Sequence, residues 1–234
     1  MREKDMQFDR KKHLLYSKHA KKCIRTKLRG DYGAERSEAL WEETQRRFVE
    51  FLRDAPDVGG KRSPHHGTYD SILVFAYYTA VPDKPSLAEL QTLNEELFMS
   101  GFKTLGKVFD LNKPSHLKLA AKIFQSVGDR DRKLACPAGF QMENRPFDRT
   151  NGVIFYRFTH CPNAAFAAEH GLTHIMPALC NCDYVGLNEI GAALIRRDTL
   201  ARGRECDYTI VGSESPLAKE HPRAADERGF WVNE

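Results

Sequence analysis

Apolar residues recur at three- and four-residue spacing through the first half of this chain. The pattern then changes, and short β-branched or aromatic segments dominate the second half. A chain with that order is confined to helices first and strands afterwards.

Tyr16, Ala20, Ile24 and Leu28 keep helical spacing beside a run of lysines. Leu40, Trp41, Thr44, Phe48, Phe51 and Leu52 place a second helix at about 36–54. The stretch DAPDVGGKRSPHHG (54–67) is a loop by its Gly, Pro and charge content, and it carries His65 and His66. An apolar segment, YDSILVFAYYTA (69–80), follows. Ser86 and Glu89 form a capping box for a helix with Leu90, Leu93 and Leu97 on one side, and Gly101 is its expected end or kink. A further helix starts at Ser115 and is expected to close at Gly128.

In the second half, GFQME (139–143), GVIFYRFTH (152–160), ALIRRDTLA (193–201) and CDYTIVG (206–212) read as strands. A helical insertion broken by Gly171 and Pro177 separates the second from the third. The expected class is α+β: a helical part (1–130), then an antiparallel sheet (131–212), in one domain. Residues 213–234 read as a polar tail over the surface.

With 234 residues and 41% hydrophobic content the chain can bury a substantial core without staples. It has no apolar run of membrane-spanning length and no export signal, so a cytoplasmic protein with no membrane partner is expected. In that compartment its six cysteines point to thiol chemistry, metal binding or burial rather than disulfides. The net charge of +4 is uneven: residues 1–30 hold 11 Lys/Arg against 3 Asp/Glu. That excess reads as a solvated helix face, because no helix-turn-helix pattern or aromatic single-strand platform accompanies it, and no nucleic-acid partner is expected. Phosphate loops, serine elbows and His-Glu-x-x-His helices are absent from the sequence.

Two segments carry a resemblance: FTHCPNAAFAAEHGLTHIMPALCNCDY (158–184) and LIRRDTLARGRECDYTIV (194–211). Cys161-Pro162, Gly171-Leu172, Cys180 with Asp183, Thr199-Leu200, Gly203 and Cys206-Asp207-Tyr208 resemble the L-2-amino-thiazoline-4-carboxylic acid hydrolase family. Cys182, Cys136 and Cys23 fall outside that pattern. The resemblance implies hydrolytic opening of a cyclic isothiourea to N-carbamoyl-L-cysteine, a step of cysteine biosynthesis, by a hydrolase of cyclic amidines acting on C–N bonds other than peptide bonds.

Such chemistry needs a nucleophile at the carbon between nitrogen and sulfur, a group for the amidinium, a proton for the departing sulfur and a recogniser of the substrate carboxylate. Cys161, between a strand end and a helix start, is the preferred nucleophile, because helix N–H groups favour a thiolate. Asp183 suits the amidinium or general-base work; its alternative is a turn aspartate. Cys180 and Cys206 line the pocket or assist proton transfer. Arg196, with a fork that matches a carboxylate, Thr199, His65 and His160 complete the expected substrate-binding set. No cofactor is expected. A metal on the cysteines is the alternative, although Cys180-x-Cys182 is not a paired knuckle. The non-enzymatic rivals are a small-molecule-binding domain of vinyl-reductase type and a cysteine-based metal or redox protein. The oligomeric state is left open.

Overall fold

The computed structural model describes residues 15–58, 63–134 and 136–233. The basic residues 1–14 and residues 59–62 of the expected loop lie outside the described residues.

The first helix, α1 (Lys18–Phe51), bends at Gly33, whose φ of 76° lies in the left-handed region that a residue without Cβ adopts at no steric cost. The two expected helices are thus the two halves of one kinked element. Ala20, Ile24, Leu28, Trp41 and Phe48 form its buried face. Helix α2 (Gly67–Ala80) is buried on almost every side from Thr68 to Tyr77, packed between α1 and the later helix α6 (Pro162–Glu169). Its Phe75 ring stacks on Phe166 of α6 at 5.8 Å.

Helix α3 (Leu87–Phe98) opens on the expected capping box. Ser86 Oγ accepts the Glu89 N–H, and the Glu89 carboxylate accepts the Ser86 N–H at 2.8 Å. Helix α4 (Ser100–Leu105) follows after a break at Met99. Helix α5 (Pro114–Leu134) runs past Gly128 instead of closing there. Gly128 is buried because Asn144 lies against it: a Cβ would sit 2.1 Å from Asn144 Nδ2, which donates to the Phe124 carbonyl. The glycine serves a close approach, not a helix end.

Strands β1 (Gln141–Asn144), β2 (Ile154–His160), β3 (Ala192–Ile195) and β4 (Cys206–Gly212) form one antiparallel sheet in the order β1-β2-β4-β3. The class is α+β, and no strand occurs among the described residues before β1. The third strand is shorter than its sequence suggests, ending at Ile195 rather than 201. Beyond it the Asp207 carboxylate accepts the N–H groups of Arg197 and Asp198, and Thr199 O receives Arg202 N, so a turn replaces ladder pairing.

Between β2 and β3 lie α6, a 3-10 turn (Thr173–Ile175), α7 (Pro177–Cys180) and α8 (Cys182–Glu189). Helices α5 and α8 cover the sheet, and their Leu117, Ala120, Tyr184 and Leu187 meet Ile154, Tyr156 and Ile210 in a second core. The C-terminal segment is ordered: α9 (Pro216–Glu220) precedes a hairpin of β5 (Arg223–Ala225) and β6 (Trp231–Asn233), with Phe230 and Asn233 buried. No described helix is long and apolar enough to cross a membrane.

Candidate active site

Strand β2 ends at His160, and Cys161 caps α6 with extended backbone (φ −130°, ψ 113°). The strand-to-helix junction expected from the sequence is therefore present. Cys180 ends α7, and Asp183 stands in the first turn of α8, where exposed N–H groups favour an anion. Cys206 opens β4, and Tyr208 shares its face because strand side chains alternate. The register places Phe158 opposite Cys206 and Tyr156 opposite Tyr208, whose rings stack at 4.6 Å.

These elements converge. Cys161, Cys180, Asp183, Arg196 and Cys206 line one cavity of about 390 Å3, a size in the range of small-ligand sites. His65 faces it from the segment before α2, with aromatic walls from Phe140, Tyr156 and Phe158. Two expected residues are not brought to this cavity. His160 Nδ1 pairs instead with the Gly139 carbonyl at 2.7 Å, and Thr199 is buried in the turn after β3.

Arg196 lies one residue beyond β3 and is fully buried, while its neighbour Arg197 faces solvent. One Nη of Arg196 donates to Asp183 Oδ2 at 2.8 Å, and the other to the Cys180 carbonyl at 2.9 Å. The guanidinium also lies over the Tyr184 ring at 4.9 Å. Its backbone is clamped from the C-terminal hairpin: Asn233 Oδ1 accepts the Arg196 N–H at 3.0 Å, and the Asn233 N–H donates to the Arg196 carbonyl. Both Nη atoms are thus committed inside the protein. Arg196 holds Asp183, while its buried Nε has no hydrogen-bond partner.

Asp183 Oδ2 accepts a second hydrogen bond, from Tyr208 Oη at 2.6 Å. With Oδ2 doubly held, the half-exposed carboxylate is fixed in one orientation toward the cavity. Tyr208 belongs to the recognised pattern but carried no expected role. Its alternation with Cys206 along β4 is the signal that would have assigned it to the cavity.

The three cavity thiols do not behave as the helix-terminus argument alone suggests. Burial pushes the Cys161 thiol up from an ordinary 9.0 to about 11; the N–H groups of Ala164 and Asn163 pull it down, and the Asp183 charge adds to the rise. Burial likewise raises Cys206 to about 12, offset in part by the Leu200 N–H that its sulfur accepts, and raises Cys180 well above 9.0. Desolvation therefore outweighs the helix terminus at Cys161, and the thiol is protonated at neutral pH. It remains the most readily ionised of the three.

This has a consequence for alkaline stability. A thiol whose folded pKa exceeds its unfolded value contributes fully below the unfolded pKa, and that contribution is lost as pH rises through the folded one. Denaturant midpoints should accordingly fall between about pH 9 and about 11 as the unfolded Cys161 thiol ionises before the folded one. The decline should be smaller in Cys161→Ser, which removes the thiol.

Among the described residues no three His, Cys, Asp or Glu side chains are grouped as metal ligands would be. Cys182 faces away from the cavity and donates to the Ala178 carbonyl at 3.3 Å, and Cys136 donates to the Asp57 carbonyl at 3.3 Å.

The family model of L-2-amino-thiazoline-4-carboxylic acid hydrolases matches residues 75–210, more than half of the chain. The chain belongs to this family. No curated protein and no solved structure matches it. The part matched to the hydrolase family contains Cys161, Cys180, Asp183, Arg196, Cys206 and Tyr208, whereas His65 lies before it.

Proposed function

We propose that the protein opens the ring of 2-amino-thiazoline-4-carboxylate to give N-carbamoyl-L-cysteine, in the cavity between α6, α8 and β4. The observation that carries this reading is the meeting, in one small-ligand cavity, of an N-cap thiol and an oriented carboxylate.

The geometry supports a role for each group. Asp183, held by Arg196 and Tyr208, faces the amidine nitrogens, since a carboxylate accepts from two N–H groups at once. Cys161 Sγ bonds to the ring carbon between nitrogen and sulfur, the ring C–S bond breaks, and the ring sulfur takes a proton to become a free thiol. The resulting isothiourea on Cys161 is attacked by water, the bond to Sγ breaks, and the product leaves with a carbamoyl group. Substrate and one water account for every atom of the product. Arg130, exposed on α5 and lining the cavity, meets the substrate carboxylate, since both Nη atoms of Arg196 already serve Asp183 and the Cys180 carbonyl.

The test is incubation of purified protein with 2-amino-thiazoline-4-carboxylate. A thiol titre that rises in step with a product one water heavier than the substrate is the expected result. Unchanged substrate after prolonged incubation at high protein concentration rejects the activity.

A further inference from the structure

A protonated nucleophile needs a base, and Asp183, with Oδ2 held by Arg196 and Tyr208, is assigned above to the amidine nitrogens. A second pair of titratable side chains faces the same cavity: His65, before α2, and Asp131, near the end of α5. Both are almost completely buried, with side-chain exposures of 4% and 7%, and His65 Nε2 lies 3.8 Å from Asp131 Oδ1. Neither of these two atoms has a hydrogen-bond partner, so each retains unused capacity. Burying two polar groups without satisfying them costs stability, which a purely structural pair has no reason to incur.

The backbone that carries the imidazole is also held in place. The main-chain N–H of His65 donates to Ser63 Oγ at 3.1 Å, and its main-chain carbonyl accepts the Thr68 N–H. Gly139 lies so close that a Cβ there would be 2.6 Å from His65 Cδ2. A ring packed against Gly139, with a carboxylate 3.8 Å from Nε2, is one small movement from the hydrogen bond that joins a base to its orienting group.

We infer that His65 is the proton carrier of the reaction and that Asp131 positions it, completing a Cys161-His65-Asp131 set. The inference rests on the ring-opening reading above. Imidazole takes the Cys161 proton as Sγ bonds to the ring carbon, and the imidazolium returns that proton to the ring sulfur as the C–S bond breaks. The proton count closes with no other donor. Burial keeps His65 below its ordinary 6.5, with Arg130 acting in the same direction and Asp131 against it, so the resting ring is neutral and able to accept. Asp131 and Arg130 face it from α5, and Cys161 and Asp183 border the same cavity.

Alkylation of Cys161 by iodoacetamide, read on the peptide that carries it, reports on the base without any substrate. In the wild-type protein the rate should rise in two steps, one below about pH 6.5 as His65 loses its proton and one near pH 11 as the free thiol ionises. His65→Gln should lose the lower step, and its ring-opening rate should fall by about 10²–10⁴-fold. Asp131→Asn should move the lower step to lower pH, because a charge that favours imidazolium is gone, and Asp131→Glu should restore part of the shift. A single alkaline step in the wild-type protein overturns the inference, as does a folded His65→Gln that keeps turnover within twofold. An absence of turnover in the wild-type protein with the two-step profile intact counts against the substrate and not against the proton carrier.

Discussion

Replacing Cys161 by alanine is expected to lower ring-opening turnover by three orders of magnitude or more. Loss of a covalent nucleophile removes the whole attacking group from the transition state, and a thousandfold loss corresponds to about 4 kcal/mol of barrier. Cys180→Ala and Cys206→Ala remove thiols that burial holds more firmly protonated, with Cys206 already accepting the Leu200 N–H and Cys180 raised well above 9.0. Their losses should be far smaller, because a wall of the cavity changes and the chemistry does not. Initial rates of thiol release for the three variants, with circular dichroism to establish folding, decide the matter. A folded Cys161→Ala that keeps roughly a tenth of the wild-type rate rejects the covalent role and leaves direct attack by water with Asp183 assisting.

The second large effect is on stability as well as rate. Arg196→Ala should destabilise the fold by about 1–3 kcal/mol, the usual cost of leaving a buried acceptor, here the Cys180 carbonyl, without its donor, while the half-exposed Asp183 is rehydrated. Arg196 is fully buried and joins three parts of the chain: Asp183 of α8, the Cys180 carbonyl at the end of α7, and Asn233 of the terminal hairpin through its backbone. Truncation strands the Cys180 carbonyl and leaves Asp183 held by Tyr208 alone, so turnover should fall with stability. Arg196→Lys keeps the charge but cannot serve Asp183 and Cys180 with two fixed N–H groups, and it should recover only part of either loss. Urea midpoints for both variants give the measurement. An Arg196→Ala loss below about 1 kcal/mol, the range of a surface pair, would show that the guanidinium is no keystone.

Much of this was legible in the chain because the signals were local. The capping box at Ser86 and Glu89, the helical spacing of Ala20, Ile24 and Leu28, and the β-branched run of β4 each depend on neighbours within a turn or a strand. The junction that places Cys161 at a helix start was visible for the same reason. What stayed hidden depended on distant partners. Gly128 has the look of a helix end until Asn144, on another element, is known to press against it. That the Nη atoms of Arg196 bond to Asp183 and the Cys180 carbonyl could be seen only in the folded chain. Asp131 and Arg130 gave no sign at all, being two charges in the polar end of a helix that only the folded chain turns toward the cavity. Desolvation at Cys161 was likewise unreadable, since helix position is a local property and burial is not.

The account stands most directly on where the substrate sits. A crystal structure of Cys161→Ser protein soaked with 2-amino-thiazoline-4-carboxylate should show the ring in the cavity, its amidine nitrogens on Asp183 and its carboxylate toward Arg130. The ring carbon between nitrogen and sulfur should lie about 3–3.5 Å from the residue-161 hydroxyl, the approach a reacting pair requires. Density for the ring elsewhere on the molecule, or in the cavity with the carboxylate turned toward Asp183, would contradict it.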